Sequence, residues 1–166
     1  MFVNGLRLMA AAPIEGMFPD KRIAHGTSFG LAEAGYDIRI NETIEFTCTG
    51  AFPWIKAIDG TNIARGNSGR FILASSMERF QMPNFLVGTV RDKSTWARKG
   101  LSVFNTIIEP GWNGILTLEL VFHGNKDVTI PAGAGIAQIL FGRLQEPGDY
   151  GNGKYQDAPG LQEAKF

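Results

Sequence analysis

Three short segments carry the side chains best suited to chemistry. In TIIEPGWNGILTLELVFHG, residues 106–124, Glu119 sits inside a strongly apolar run. Read with a period of two, Ile115, Thr117, Glu119 and Val121 share one face, and Leu116, Leu118, Leu120 and Phe122 share the other. The Leu/Phe face reads as core. Glu119 stands opposite it, hemmed by apolar neighbours, a setting suited to general acid–base work. The competing reading is a carboxylate facing solvent or held in an ion pair. A Pro-Gly and an Asn-Gly turn bring Glu109 to the start of the same strand.

In RDKSTWARKGL, residues 91–101, four cations (Arg91, Lys93, Arg98, Lys99) surround Ser94 and Thr95 beside a short helix start. A helix N-terminus presents free N–H groups, and flanking cations and hydroxyls suit polyphosphate oxygens. A solvated basic turn is the alternative, and no G-x-x-x-x-G-K-[ST] loop occurs anywhere in the chain. The third segment, YGNGKYQ, holds Tyr150, Lys154 and Gln156 among glycines. That composition fits a flap closing over a phosphorylated ligand, or an unstructured end.

One chemistry is excluded by inventory. A zinc-dependent nucleoside deaminase needs a His/Cys/Cys set with P-C-x-x-C spacing and a nearby Glu. His25, His123 and Cys48 are the only such ligands, and they are scattered. Cys48 reads as a small residue in the strand-like IEFTCTG, and a single cysteine fits a reducing, cytoplasmic setting without disulfides.

The elements that must position these residues are short strands. YDIRI, IEFTC, RFILASS, FLVGTV, ILTLELVF, DVTIP and IAQILFGRL are rich in β-branched and aromatic residues, and several alternate in period two. Turn signals separate them, among them Asp59-Gly60, Pro110-Gly111, Asn113-Gly114 and Gly124-Asn125. The rhythm predicts an all-β sandwich or jelly-roll-like barrel. Only two helical pieces are expected, a turn near Pro13–Gly16 and Lys93–Gly100. The tail from Gln145 is polar and glycine-rich, so residues 1–144 form the expected folded domain and 145–166 a flexible extension.

Composition narrows the function classes. The 166 residues suffice for one domain, with 44% hydrophobic and 19% charged residues. Sixteen Lys+Arg balance sixteen Asp+Glu, so no basic excess draws the chain to a nucleic-acid polymer. No apolar run is long enough for a membrane span, and Arg7 interrupts the apolar N-terminus.

Four pieces in order resemble the dCTP deaminases, whose trimeric β fold is shared with the dUTPases. DKSTWARKGL is similar to that family's helical signature, [GK]-[KR]-S-[ST]-x-A-R-x-G-[LI], and EPGWNGILTLEL to its P-x-W-x-G-x-[IVL]-T-L-E strand. AGYDIRI resembles its G-Y-D-x-R strand, and IAQILF with GKYQ its closing strand and C-terminal lid. The resemblance runs from about Ala34 to Gln156 and is loosest over residues 41–70.

The resemblance implies a distorted jelly-roll-like β-barrel of the dUTPase type with one or two short helices, assembled as a homotrimer with sites between subunits. It implies hydrolysis of the 4-amino group of dCTP to dUTP and ammonia, without zinc. Glu119 matches the catalytic glutamate, while Ser94 and Arg98 match a serine that helps hold the water and an arginine that orders the site. Lys93 and Thr95 match phosphate contacts. Thr106, Glu109 and Gln138 join the substrate-binding set, and Tyr150, Lys154 and Gln156 the lid over a triphosphate carrying Mg²⁺.

Two departures stand out. In relatives that also cleave the triphosphate an aspartate near position 109 is implicated, and here it is Glu109. Four residues beyond Lys154, where several members have glutamine, stands Ala158; either Gln156 substitutes or the lid grips differently. Trp96 and Ile107 are candidates for shaping a pocket around cytosine C5. A dUTP/dCTP pyrophosphatase, or a bifunctional deaminase-dUTPase of the same fold, is the alternative. The hairpin and tail lack the dUTPase pattern of a stacking tyrosine and a glycine-serine run.

Overall fold

A computed structural model describes residues 1–166, and it is mostly β with two short helices. The strands are β1 (Phe2–Val3), β2 (Lys21–Ala24), β3 (Thr27–Leu31), β4 (Tyr36–Arg39), β5 (Thr43–Thr47), β6 (Trp54–Ile58) and β7 (Ala64–Ser68). There follow β8 (Phe71–Gln81), β9 (Leu86–Asp92), β10 (Leu101–Val103), β11 (Ile107–Ile108), β12 (Asn113–Phe122), β13 (Val128–Ile130) and β14 (Gly135–Arg143). The helices are α1 (Gly5–Ala11) and α2 (Ser94–Ala97).

The closed jelly-roll-like barrel expected from the sequence is not what forms. The strands make three open sheets: a seven-stranded sheet in the order β11-β9-β14-β4-β3-β2 with β1 added on β14, a three-stranded sheet β10-β12-β8, and a four-stranded sheet β13-β5-β6-β7. The edge strands of the three sheets (β11 and β2, β10 and β8, β13 and β7) do not pair with one another, so no sheet closes. Between Ile115 and Thr117 the β12–β8 register slips, and β8 accommodates the extra length where the Ser76 hydroxyl accepts the Leu116 N–H at 3.0 Å.

One core of 31 buried apolar residues joins the sheets. The two faces of β12 divide as the alternation predicts: Leu118, Leu120 and Phe122 are fully buried, while Thr117, Glu119 and Val121 are half-buried. Leu116, at the bulge, is only half-buried as well.

The N-terminal helix lies earlier than the expected turn at Pro13–Gly16. It covers Gly5–Ala11, anchors through Leu8, and ends at Ala12 in the left-handed conformation, whose N–H bonds the Leu8 carbonyl before Pro13 stops it. The hairpin β2–β3 turns on His25 and Gly26, both at positive φ. No helix is long and apolar enough to cross a membrane.

Candidate active site

Glu119 lies on β12 opposite Leu73 of β8. On its other side β10 has already ended, and the loop that follows takes over as partner. The Glu119 carbonyl accepts the Phe104 N–H at 2.9 Å, and its N–H donates to Asn105 Oδ1 at 3.1 Å. The same Asn105 donates Nδ2 to the Thr117 carbonyl at 2.6 Å. One amide side chain thus clamps the main chain on both sides of Leu118, which fixes where the Glu119 side chain leaves the strand.

That side chain opens into a cleft of about 590 Å³. Four of the expected residues line it: Glu119, Glu109, Thr106 and Tyr150. Asn105, Ile107, Trp112, Tyr155 and Gln162 line it too. Ser94, Arg98, Lys93, Thr95, Gln138, Lys154 and Gln156 do not.

The second group lies around α2 and on the tail. Trp96 is the buried residue of α2, its Nε1 donating to the Gly135 carbonyl at 2.8 Å. Ser94, Thr95, Arg98 and Lys99 are exposed on the outer side of the turn. Trp96 therefore lies under the helix and not along the cleft, so of the two residues considered for a C5 pocket only Ile107 faces it. Lys93 folds inward, its ammonium 2.6 Å from Asp37 Oδ2 and 2.9 Å from Ser28 Oγ. Gln138 Nε2 donates to the other Asp37 oxygen at 3.0 Å.

The tail is packed against the start of β12, although its glycines favour mobility. Gln156 spends its whole amide there, accepting the Asn113 N–H at 2.9 Å and donating to the Gly111 carbonyl at 3.0 Å. Ala158 is buried and bridges Gly114, whose φ of +146° and 2.9 Å clearance to the Ala158 nitrogen leave no room for a side chain. Trp112 Nε1 donates to the Tyr155 carbonyl at 2.7 Å. Lys154 Nζ donates to the Lys165 carbonyl at 3.0 Å, and Gln162 N–H donates to Thr117 Oγ1 at 2.9 Å.

Comparison with known proteins decides the family. The model described as dCTP deaminase-like matches residues 18–144. The chain belongs to that family. It is 35% identical over 162 residues to a dCTP deaminase of Campylobacter fetus subsp. fetus, covering 87% of this chain and 85% of that one. It is 32% identical over 184 residues to a dCTP deaminase of Acidobacterium capsulatum, covering 97% of each. Among solved structures, a native EIAV dUTPase superposes with a TM-score of 0.51 at 18% identity, over 74% of this chain and 87% of that chain. The 2'-deoxycytidine 5'-triphosphate deaminase from Agrobacterium tumefaciens gives 0.54 at 15%, over 86% of this chain and 47% of that one. The two structural likenesses bear on the fold.

Within this dCTP deaminase-like frame, the fold uses groups in and beyond the cleft that spacing did not reveal. Asn105 precedes Thr106 in an unremarkable FNTII string, and its role arises from the end of β10. Asp37 was legible only as part of G-Y-D, yet it gathers Ser28, Lys93 and Gln138 from three other parts of the chain. Gln162 lies beyond the matched tail. No three His, Cys, Asp or Glu side chains come together as a metal-ligand set.

Proposed function

We propose that this chain converts dCTP and water to dUTP and ammonia, with Glu119 as the proton shuttle. The observation that carries the reading is the clamped Glu119 at the cleft, on the TLE strand of a chain related to dCTP deaminases. Water adds to cytosine C4 and yields a proton to the Glu119 carboxylate. Glu119 delivers it to N3, and the remaining C4-hydroxyl proton then passes through the same carboxylate to the 4-amino group, so that ammonia leaves as the C4–N bond breaks and the C4 carbonyl forms. This sequence needs no zinc, in keeping with the scattered His and Cys residues. Mg²⁺ enters as part of the triphosphate substrate.

Ser94 and Arg98 lie outside the cleft that holds Glu119 of the same chain. A site using all three therefore draws α2 from a second copy, which supports sites between subunits, as in the homotrimer that the resemblance implies. The exposed Phe71, Phe104 and Ile107 at or near the cleft suit burial against that copy. Tyr150 and Lys154 act as the lid, and Lys154 must leave the Lys165 carbonyl to reach a phosphate. The single cysteine and the substrate class fit a cytoplasmic enzyme.

The test is a panel of dCTP, 5-methyl-dCTP, dUTP and CTP, with products resolved by chromatography and mass measured by light scattering. Ammonia and dUTP from dCTP by a three-fold oligomer are expected. Pyrophosphate release without ammonia would replace deamination by the pyrophosphatase reading, and an active monomer would remove the shared site. Turnover of 5-methyl-dCTP at a rate equal to or above that of dCTP would make the C5-substituted base a substrate.

A further inference from the structure

We propose that Ser76 is a positioning residue for sugar selection: its hydroxyl holds a bulge that turns Leu116 into the cleft, where Leu116 forms the wall against C2′ of the nucleotide. The inference rests on the deaminase reading for the end of the cleft at which cytosine sits. The register between β12 and β8 breaks once. Ile115 pairs with Arg79 and Thr117 with Ser75, so Leu116 alone stands opposite Ser76, Met77 and Glu78 and has no partner in the ladder. The Ser76 hydroxyl fills the gap, accepting the Leu116 N–H at 3.0 Å and donating to the Glu78 carbonyl at 2.8 Å.

The position of that hydroxyl is set from outside the cleft. Ser76 is buried, and its main chain bridges the fully buried Ile40. Beside it the Asn41 N–H donates to the Ser75 carbonyl at 2.9 Å. The link between β4 and β5 therefore fixes Ser76, and neither Ile40 nor Asn41 lines the cleft. The consequence shows on β12. A regular strand turns only alternate residues to one side, and Leu116 would then join Leu118 and Leu120 in the core. Here the consecutive residues Ile115, Leu116 and Thr117 all line the cleft, and Leu116 is half-buried.

On β12 the lining runs from Trp112 to Glu119 and stops there. With cytosine C4 at Glu119, the rest of the nucleotide extends back toward Trp112. Leu116 lies three residues from Glu119, about 10 Å of strand or less, which is the span of one pyrimidine nucleoside and sets Leu116 at its sugar end. A deoxyribose presents a methylene at C2′ to this wall. A ribose presents a hydroxyl, which the leucine methyls crowd and cannot pair, and the Leu116 N–H is already spent on Ser76. Rejection of an added hydroxyl by an apolar wall is of the order of 10²-fold.

The experiment compares kcat/KM for dCTP and CTP in wild type, Ser76→Ala, Ser76→Thr and Leu116→Ala. Wild-type ammonia release from dCTP tests the deaminase reading first and separately. Equilibrium binding of the α,β-imido analogues of dUTP and UTP, which have no amine to lose, reads the sugar contact without turnover. A binding preference in a protein that releases no ammonia would sink the deaminase reading and leave the wall standing. Wild type is expected to favour the deoxynucleotide by about 10²-fold in both measurements. Leu116→Ala and Ser76→Ala should each cut that preference about ten-fold through gain on the ribonucleotide, while Ser76→Thr, which keeps the hydroxyl, stays within about two-fold of wild type. A Ser76→Ala protein that melts lower yet keeps the preference would reduce Ser76 to a structural contact and overturn the proposal. Equal losses on both nucleotides in Leu116→Ala would overturn it as well, as would a wild type indifferent to the sugar. Should Ser76→Ala not fold, Ser76→Cys, a longer and weaker acceptor, carries the same comparison with an expected loss of preference of about three-fold.

Discussion

Replacing Asn105 by Ala tests whether the loop after β10 sets the geometry of Glu119. The substitution removes two hydrogen bonds, Nδ2 to the Thr117 carbonyl at 2.6 Å and Oδ1 from the Glu119 N–H at 3.1 Å. Each is part-buried and contributes about 0.5–1.5 kcal/mol net, so the pair amounts to about 1–2 kcal/mol at this half-wet position. For a chain of this size that corresponds to a melting temperature lower by roughly 2–8 °C. The effect on rate should be larger than on binding. Freed from its clamp, the main chain at Glu119 relaxes, and displacements of about 1 Å at a reacting group cost up to about 10²-fold in rate. Scanning calorimetry and ammonia release measure the two effects on the same sample. Asn105→Asp refines the comparison, because it keeps an acceptor for the Glu119 N–H while turning an oxygen toward the Thr117 carbonyl. It should be no more stable than the alanine variant. An Asn105→Ala protein with wild-type kcat and a melting temperature within about 1 °C of wild type would refute the clamp.

Three further outcomes follow from the same geometry. Glu119→Gln keeps size and shape but not the proton, so kcat should fall by about 10²-fold or more with folding intact, and near-wild-type deamination would remove Glu119 from the mechanism. Truncation after Leu144 removes Tyr150, Lys154 and Gln156 and should lower kcat/KM for the triphosphate steeply. It should also lower the melting temperature by uncovering Trp112 and losing Ala158, whereas truncation after Gly160 spares both, and equal stability of the two would contradict the packing. Burial pushes the Glu78 carboxyl above its ordinary value of 4.5, against the pull of Arg39. The stability it contributes is therefore present below about 4.5 and lost as pH rises through the folded value, so wild type should lose its advantage over Glu78→Gln as pH rises in thermal melts; an advantage growing with pH would mean that the Arg39 pair outweighs burial.

What the sequence made legible was whatever depends on neighbours along the chain. The alternation of ILTLELVF assigned Glu119 its face, because a strand's period is two regardless of what packs on it. DKSTWARKG announced a helix start for the same local reason. The hairpin β2–β3 went unseen because His25-Gly26 is a poor turn signal, and β7 because all five of its residues are exposed and carry no pattern. The barrel failed to close for a reason no local pattern holds. Closure requires a consistent stagger around every strand, and a slip such as that between Ile115 and Thr117 is visible only once both strands are paired.

The candidate substrate contacts divide along the same line. A residue type says which contacts a side chain can make, and its surroundings decide which ones it does make. Lys93 and Gln138 look available to a phosphate or a base until Asp37 is seen to hold both. Gln156, a candidate to replace the glutamine missing at Ala158, is occupied at both ends by Gly111 and Asn113. Releasing it would leave the Asn113 N–H without its partner, a cost that a nucleotide contact by the same amide would have to exceed. The Gln162 side chain has no such commitment across the fold: its Nε2 bonds only the carbonyls of Gly160 and Leu161 beside it, and Gln162 lines the cleft with Glu119 while its main-chain N–H stays on Thr117 Oγ1. Of the two tail amides, Gln162 is therefore the one able to turn toward a bound base or sugar without dismantling the tail. The absence of a glutamine at position 158 then has a physical counterpart: alanine there fills the space beside Gly114, and the amide that faces the cleft comes from four residues further on.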